Sequence, residues 1–202
     1  MKKIQFLMLG IITALGALFL ELLVFTFFNL KIDSSYVYAD SLNFAIIFSV
    51  FLEESVKIII LFQILKKIIR QAAGQKQIFL SAMMAGLGFS VMEIFLNLLN
   101  PQTNRYFSLL DGLGILVVHT GTFVFLGYVL AKKIDLNFSQ FIFLFPIIFL
   151  FHLLYNYIII CQGTFGFYFL FLFLSCLMLL IFFWDLNRQS DKKNLPKSEI
   201  RL

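Results

Sequence analysis

Six apolar stretches, each near the length needed to cross a bilayer, occupy most of this 202-residue chain. A membrane-spanning helix needs about 20 consecutive apolar residues. The runs cover about Ile4 to Leu30, Leu42 to Leu65, Ile78 to Leu99, Leu109 to Ala131, Phe138 to Ile160 and Phe165 to Trp184. Hydrophobic residues make up 61% of the chain and charged ones 13%. A soluble domain averages about 45–50% apolar and about 25% charged. A soluble single-core enzyme is therefore excluded, and so is intrinsic disorder, which requires low hydrophobicity and high charge. The expected fold class is all-α: a polytopic membrane protein with six transmembrane helices. The first run follows Lys2 and Lys3 as a signal peptide would. It exceeds a signal-peptide core in length and lacks a small-x-small cleavage site, so it reads as a retained span.

The net charge of +5 reads as membrane topology, not as affinity for nucleic acid. Of the 16 basic residues, 13 fall on one set of connecting segments: Lys2, Lys3, Lys66, Lys67, Arg70, Lys76, Lys132, Lys133, Arg188, Lys192, Lys193, Lys197 and Arg201. The other set holds Lys31 and Arg105, and Lys57 lies within a span. Basic loops stay cytoplasmic. The bias predicts a multi-pass protein of the cell membrane with both termini cytoplasmic. Residues 1–187 form one six-helix domain, and 188–202 a short basic cytoplasmic tail. Cys161 and Cys176 offer neither a disulfide framework nor a metal-binding spacing, and read as small buried hydrophobes.

Small residues suggest which spans pack most tightly. The third carries Ala82, Ala85, Gly86 and Gly88; the fourth carries Gly112, Gly114, Gly121 and Gly127. Membrane helices associate through close backbone approach, which small side chains permit. These two spans are expected to form the central pair. The sixth, nearly all Phe and Leu, has the composition of a lipid-facing helix.

Against this apolar background the ionisable residues stand out. Glu21 lies in the first span, and Glu53, Glu54 and Lys57 in the second. Glu93 lies in the third, His119 in the fourth, and His152 with Asn156 in the fifth. An unpaired charge in hydrocarbon costs several kcal/mol, so such groups turn toward protein or a water-filled cavity. Counted from one end of each span, Glu21, Glu53, Glu93, His119 and His152 all lie about 9–17 Å deep. One layer shared by five spans predicts one internal polar site. Glu53 and Glu54 differ by about 100° around their helix, so one can face a cavity while the other pairs with Lys57. Asp33, Asp111 and Asp185 sit at span borders, where a solvated carboxylate is unremarkable. Glu21 reads as structural or solvating. Asn97 and Asn100 could cap the third helix or line the mouth.

These residues carry a family resemblance. Glu53-Glu54-x-x-Lys57, Phe89-x-x-x-Glu93, His119 with Gly127 eight residues on, and His152-x-x-x-Asn156 resemble, in order, the four motifs of the PrsW-type intramembrane proteases of bacteria. The wider group includes the CAAX prenyl endopeptidases, related bacteriocin-processing and immunity membrane proteins, and the Aph subunit of gamma-secretase. The motifs cover positions 53 to 156, about half the chain. One departure is Asn97, where the second motif often continues to an aromatic. The resemblance implies an intramembrane endopeptidase. Its substrate would be a membrane-anchored protein or peptide, such as an anti-sigma factor.

Peptide hydrolysis requires an activated water, a stabilised oxyanion and a protonated leaving amine. The candidate catalytic set is Glu53, Glu54, Lys57, Glu93, His119, His152 and Asn156. Glu53 is the expected base, with Glu93 or His119 holding the water and Lys57 orienting a paired glutamate. His152 and Asn156 would serve the oxyanion. No cofactor is required by this scheme. A zinc version would use Glu93, His119 and His152 as ligands and a second Glu as base. Two other classes fit less of the pattern. One is a non-catalytic immunity or partner-binding protein on the same scaffold. The other is a proton pathway, which would need polar residues continuing through the other half of the membrane.

Overall fold

The computed structural model describes residues 3–28, 44–65, 74–100, 108–132, 137–138, 142–160, 171–172, 175–176 and 178–185. The fold is all-α, and the described residues form six helical elements in sequence. They are α1 (Lys3–Phe27), α2 (Phe44–Ile60), a π-helical turn (Leu61–Leu65) that continues α2, α3 (Gln75–Leu99), α4 (Leu109–Lys132) and α5 (Phe145–Ile160). Further helical residues at 171–172, 175–176 and 178–185 fall in the expected sixth span. The tail 188–202, and most of the basic connecting residues, lie outside the described residues.

Among the described residues three helices, α1, α3 and α4, are long and apolar enough to cross a membrane, as a multi-pass membrane protein requires. The expected six crossings are thus met in part. α2 has 17 residues and carries Glu53, Glu54 and Lys57. α5 has 16 residues, about 24 Å of helix against a hydrocarbon core of about 30 Å. With the π-helical turn, the helical stretch that begins with α2 runs from Phe44 to Leu65.

α3 sits between α1 and α4, and small residues explain why. A Cβ added to Gly88 would strike the backbone carbonyl of Leu7 on α1. One added to Gly10 would strike the carbonyl of Ala85. On the other side, Gly86 packs so that a Cβ would lie 2.7 Å from Thr120 Cα, and Gly127 rests on Ala82. The central α3–α4 pair expected from the glycines is therefore present. Gly10 adds a third helix to it. Hydroxyl groups in this apolar setting bond back to their own helices, as Thr13 does to the Leu9 carbonyl (2.7 Å) and Ser90 to that of Gly86 (2.8 Å).

α1 divides cleanly into two faces. Phe6, Gly10, Thr13, Ala14 and Ala17 are buried, while Ile4, Met8, Ile12, Leu15, Phe19 and Leu22 form an exposed stripe. A stripe of large apolar side chains on a helix this hydrophobic suits lipid. Met178, Leu180, Ile181 and Trp184 are exposed in the same way, in keeping with a lipid-facing sixth helix. Cys176 is exposed too, contrary to the buried position expected, because it lies on that outer face. Cys161 lies outside the described residues.

Two border carboxylates are more than solvated. Asp111 Oδ2 accepts from the Ser108 backbone N–H (2.8 Å), and the Asp111 N–H donates to Ser108 Oγ (3.2 Å). This reciprocal capping box fixes the start of α4. Asp185 accepts from Tyr128 Oη (2.7 Å) and pairs with Lys132 (2.8 Å), tying the end of α4 to the last helical segment.

Candidate functional site

α2 presents its two glutamates to different surroundings. Glu54 points inward and is fully buried, as is Lys57 one turn on. Lys57 Nζ donates to Glu54 Oε1 at 2.6 Å, an i,i+3 pair within the helix. The same Oε1 lies 2.6 Å from His152 Nδ1 on α5. Glu53, about 100° around the helix, keeps 18% of its side chain exposed, and its Oε2 is 3.8 Å from His152 Nδ1. No hydrogen-bond partner reaches that oxygen among the described residues.

α4 supplies His119, buried on the side of α4 that packs against α3. Its Nδ1 is 2.6 Å from Lys57 Nζ, and its Nε2 pairs with Glu93 Oε2 of α3. Phe89, one turn before Glu93, packs its ring against His119 with centroids 4.6 Å apart. Phe89 also meets Lys57, whose Nζ lies 4.6 Å from the ring centroid. The two histidine rings meet edge to face, 4.9 Å between centroids. A chain of hydrogen bonds and ion pairs therefore runs from His152 through Glu54, Lys57 and His119 to Glu93. It joins four helices, and every charge in it has a partner, which is what allows such groups to be buried.

Beside the chain, α1, α2 and α3 line an open cavity of about 390 Å³. Glu53 and Glu93 line it, with Phe89, Asn97 and Asn100. Ala14, Ala17 and Glu21 line it on the α1 side. Sequence reasoning missed this role for Glu21. Its carboxylate accepts from Ser49 Oγ of α2 at 2.9 Å and shares the cavity with Glu53 and Glu93. The signal was its depth, equal to that of the motif residues. Asn97 donates to the Glu93 carbonyl (3.1 Å). The Asn100 backbone N–H caps α3 through Leu96. Asn156 sits one turn beyond His152, half-buried, and among the described residues no hydrogen bond joins its side chain to the chain of charges. Gly127 serves packing against Ala82, two turns from His119.

By spacing, Glu53, His119 and His152 could hold a metal ion, since one potential ligand atom from each lies within 4.8 Å of the others. This buried Glu/His cluster differs from the zinc set expected from sequence, which had Glu93 in the place of Glu53. One carboxylate and two imidazoles are a donor set that zinc accepts. The hydrogen bonding does not fit as well. A histidine bound to metal normally gives its other N–H to an acceptor. The partner of His119 Nδ1 is Lys57, whose ammonium has donors only. Comparison with protein families, curated proteins and solved structures finds no match for the chain.

Proposed function

We propose that the chain is an intramembrane endopeptidase of glutamate type, acting on a membrane-anchored protein or peptide. The observation that carries this reading is the division of labour on α2. Glu54 Oε1 is committed to Lys57 and His152, while Glu53 lines the cavity and has its nearest ion-pair contact, with His152, at 3.8 Å. A carboxylate held that way can take a proton from water, the first requirement of hydrolysis.

In this reading a water in the cavity lies between Glu53 and Glu93. Glu53 removes its proton as the oxygen attacks the substrate carbonyl. Glu93, held by His119, accepts the second hydrogen bond of the water and fixes its aim. The oxyanion is met by Asn156 and by His152. For His152 the role requires a proton on Nε2 as well as on the Nδ1 that faces Glu54. Glu53 then returns its proton to the leaving nitrogen as the C–N bond breaks, so that acid and amine products balance. Glu54 and Lys57 position the groups that act. The ordered PrsW-type motifs support the same assignment, and by that resemblance an anti-sigma factor is a candidate substrate. A zinc-dependent version rests on the spacing of Glu53, His119 and His152 alone, and no step here passes through a metal.

The test is product analysis. Single-span reporter proteins are reconstituted with the protein in liposomes, and new termini are identified by mass spectrometry. A discrete cut that persists in chelator and disappears with Glu53→Ala supports the reading. A cut unchanged in the variant removes Glu53 as base. If no reporter is cut, and protection against a toxin or peptide survives substitution of Glu53, Glu93 and His152, the scaffold is a binding or immunity protein instead.

A further inference from the structure

Lys57 already occupies three of the groups that a cation could bind in this site. Its ammonium holds Glu54 Oε1 at 2.6 Å, His119 Nδ1 at 2.6 Å and the face of Phe89 at 4.6 Å. All three partners come from different helices, and Lys57 itself is fully buried. Three N–H donors can satisfy an imidazole nitrogen only if that nitrogen bears a lone pair. His119 Nδ1 must therefore be unprotonated, which leaves the ring proton on Nε2. There it meets an acceptor, the Glu93 carboxylate. The two ends of His119 give the same answer independently. His152 receives the opposite instruction, because its Nδ1 faces the Glu54 carboxylate and must carry the proton.

We propose that Lys57 is a positioning residue: its ammonium fixes His119 as the Nε2–H tautomer and keeps a metal ion out of the Glu53–His119–His152 cluster. A metal approaching Nε2 would need the ring proton moved to Nδ1, against the ammonium. A metal approaching Nδ1 would have to displace the ammonium from its place beside Glu54. The positive charge that a metal would bring is already supplied by the chain. This holds whether or not the protein cuts peptides, so its test is separate from the protease reading.

Two measurements on the wild-type protein decide it. The imidazole nitrogens of protein labelled with nitrogen-15 at histidine are assigned by NMR in detergent micelles, with His119→Gln and His152→Gln as assignment controls. The expected result is a bare Nδ1 and protonated Nε2 for His119, and a protonated Nδ1 for His152. Cobalt(II) is then titrated as a spectroscopic probe, and wild type is expected to develop no tetrahedral absorption at stoichiometric metal. Lys57→Met, which keeps bulk and removes the charge, should bind cobalt about 10- to 100-fold more tightly, the range that a ligand's hydrogen-bond partner commands. Lys57→Arg restores donors and should restore exclusion. A protonated His119 Nδ1 in wild type overturns the proposal, as does stoichiometric tetrahedral cobalt. A folded Lys57→Met with unchanged cobalt affinity overturns it as well. Should Lys57→Met not fold, the two wild-type measurements still decide.

Discussion

Replacing Glu54 by Gln should destabilise the fold, while the same change at Glu53 should not. Glu54 and Lys57 are both fully buried and 2.6 Å apart. Without the carboxylate, Lys57 keeps His119 Nδ1 and the Phe89 ring as partners, neither of them an anion. Breaking one side of a buried ion pair costs about 3–5 kcal/mol. The cation–π contact with Phe89 returns up to about 2 kcal/mol in a desolvated setting but is already present in wild type, so it does not offset the loss. Gln retains a hydrogen-bond acceptor, which favours the low end, about 3 kcal/mol. Glu53 has no ion-pair partner closer than 3.8 Å, so Glu53→Gln should cost about 1 kcal/mol or less. The assay is unfolding of detergent-solubilised protein by SDS, followed by helicity. The two variants should differ by about 2 kcal/mol or more, over tenfold in the ratio of folded to unfolded protein. If Glu54→Gln unfolds with wild type, or Glu53→Gln loses as much, the assignment of the two glutamates is wrong.

Packing and surface changes give further tests in the same assay. Gly88→Ala puts a methyl group into the Leu7 backbone, which cannot rotate away, and should cost about 1–3 kcal/mol as overpacking. Gly16→Ala has open space around it and should be neutral or stabilising by up to about 1 kcal/mol. Ser49→Ala removes the donor to Glu21 and should cost about 1–2 kcal/mol, with the effect abolished in a Glu21→Ala background. Asp185→Asn breaks a pair whose members are both over a third exposed. It should cost less than about 1 kcal/mol, and high salt should erase the difference.

The sequence made the polar layer legible because charge inside an apolar run is costly and must be gathered somewhere. Depth counting alone joined Glu53, Glu93, His119 and His152, and it included Glu21 before any role could be attached to it. The small residues of the third and fourth spans marked the central pair for an equally direct reason, the demand for close backbone contact. Helix spacing could say that Glu53 and Glu54 diverge, but not which turns inward. That depends on where α5 places His152, a contact 98 residues away in sequence. Gly10 went unread because its partner, Ala85, is on another helix and leaves no local pattern. The capping role of Asp111 was hidden by its position at a border, where solvation was a sufficient explanation. The number of membrane crossings was the coarsest inference. Among the described residues, α1, α3 and α4 alone combine the length and apolarity of a crossing.

The most direct test of Glu53 as the base is the rate of peptide-bond cleavage by Glu53→Gln beside wild type. Both would be folded by the SDS criterion and assayed in liposomes on the same reporter. Loss of a general base predicts a rate lower by about 10²- to 10⁴-fold, with reporter binding retained. Cleavage at the wild-type rate by folded Glu53→Gln would contradict it.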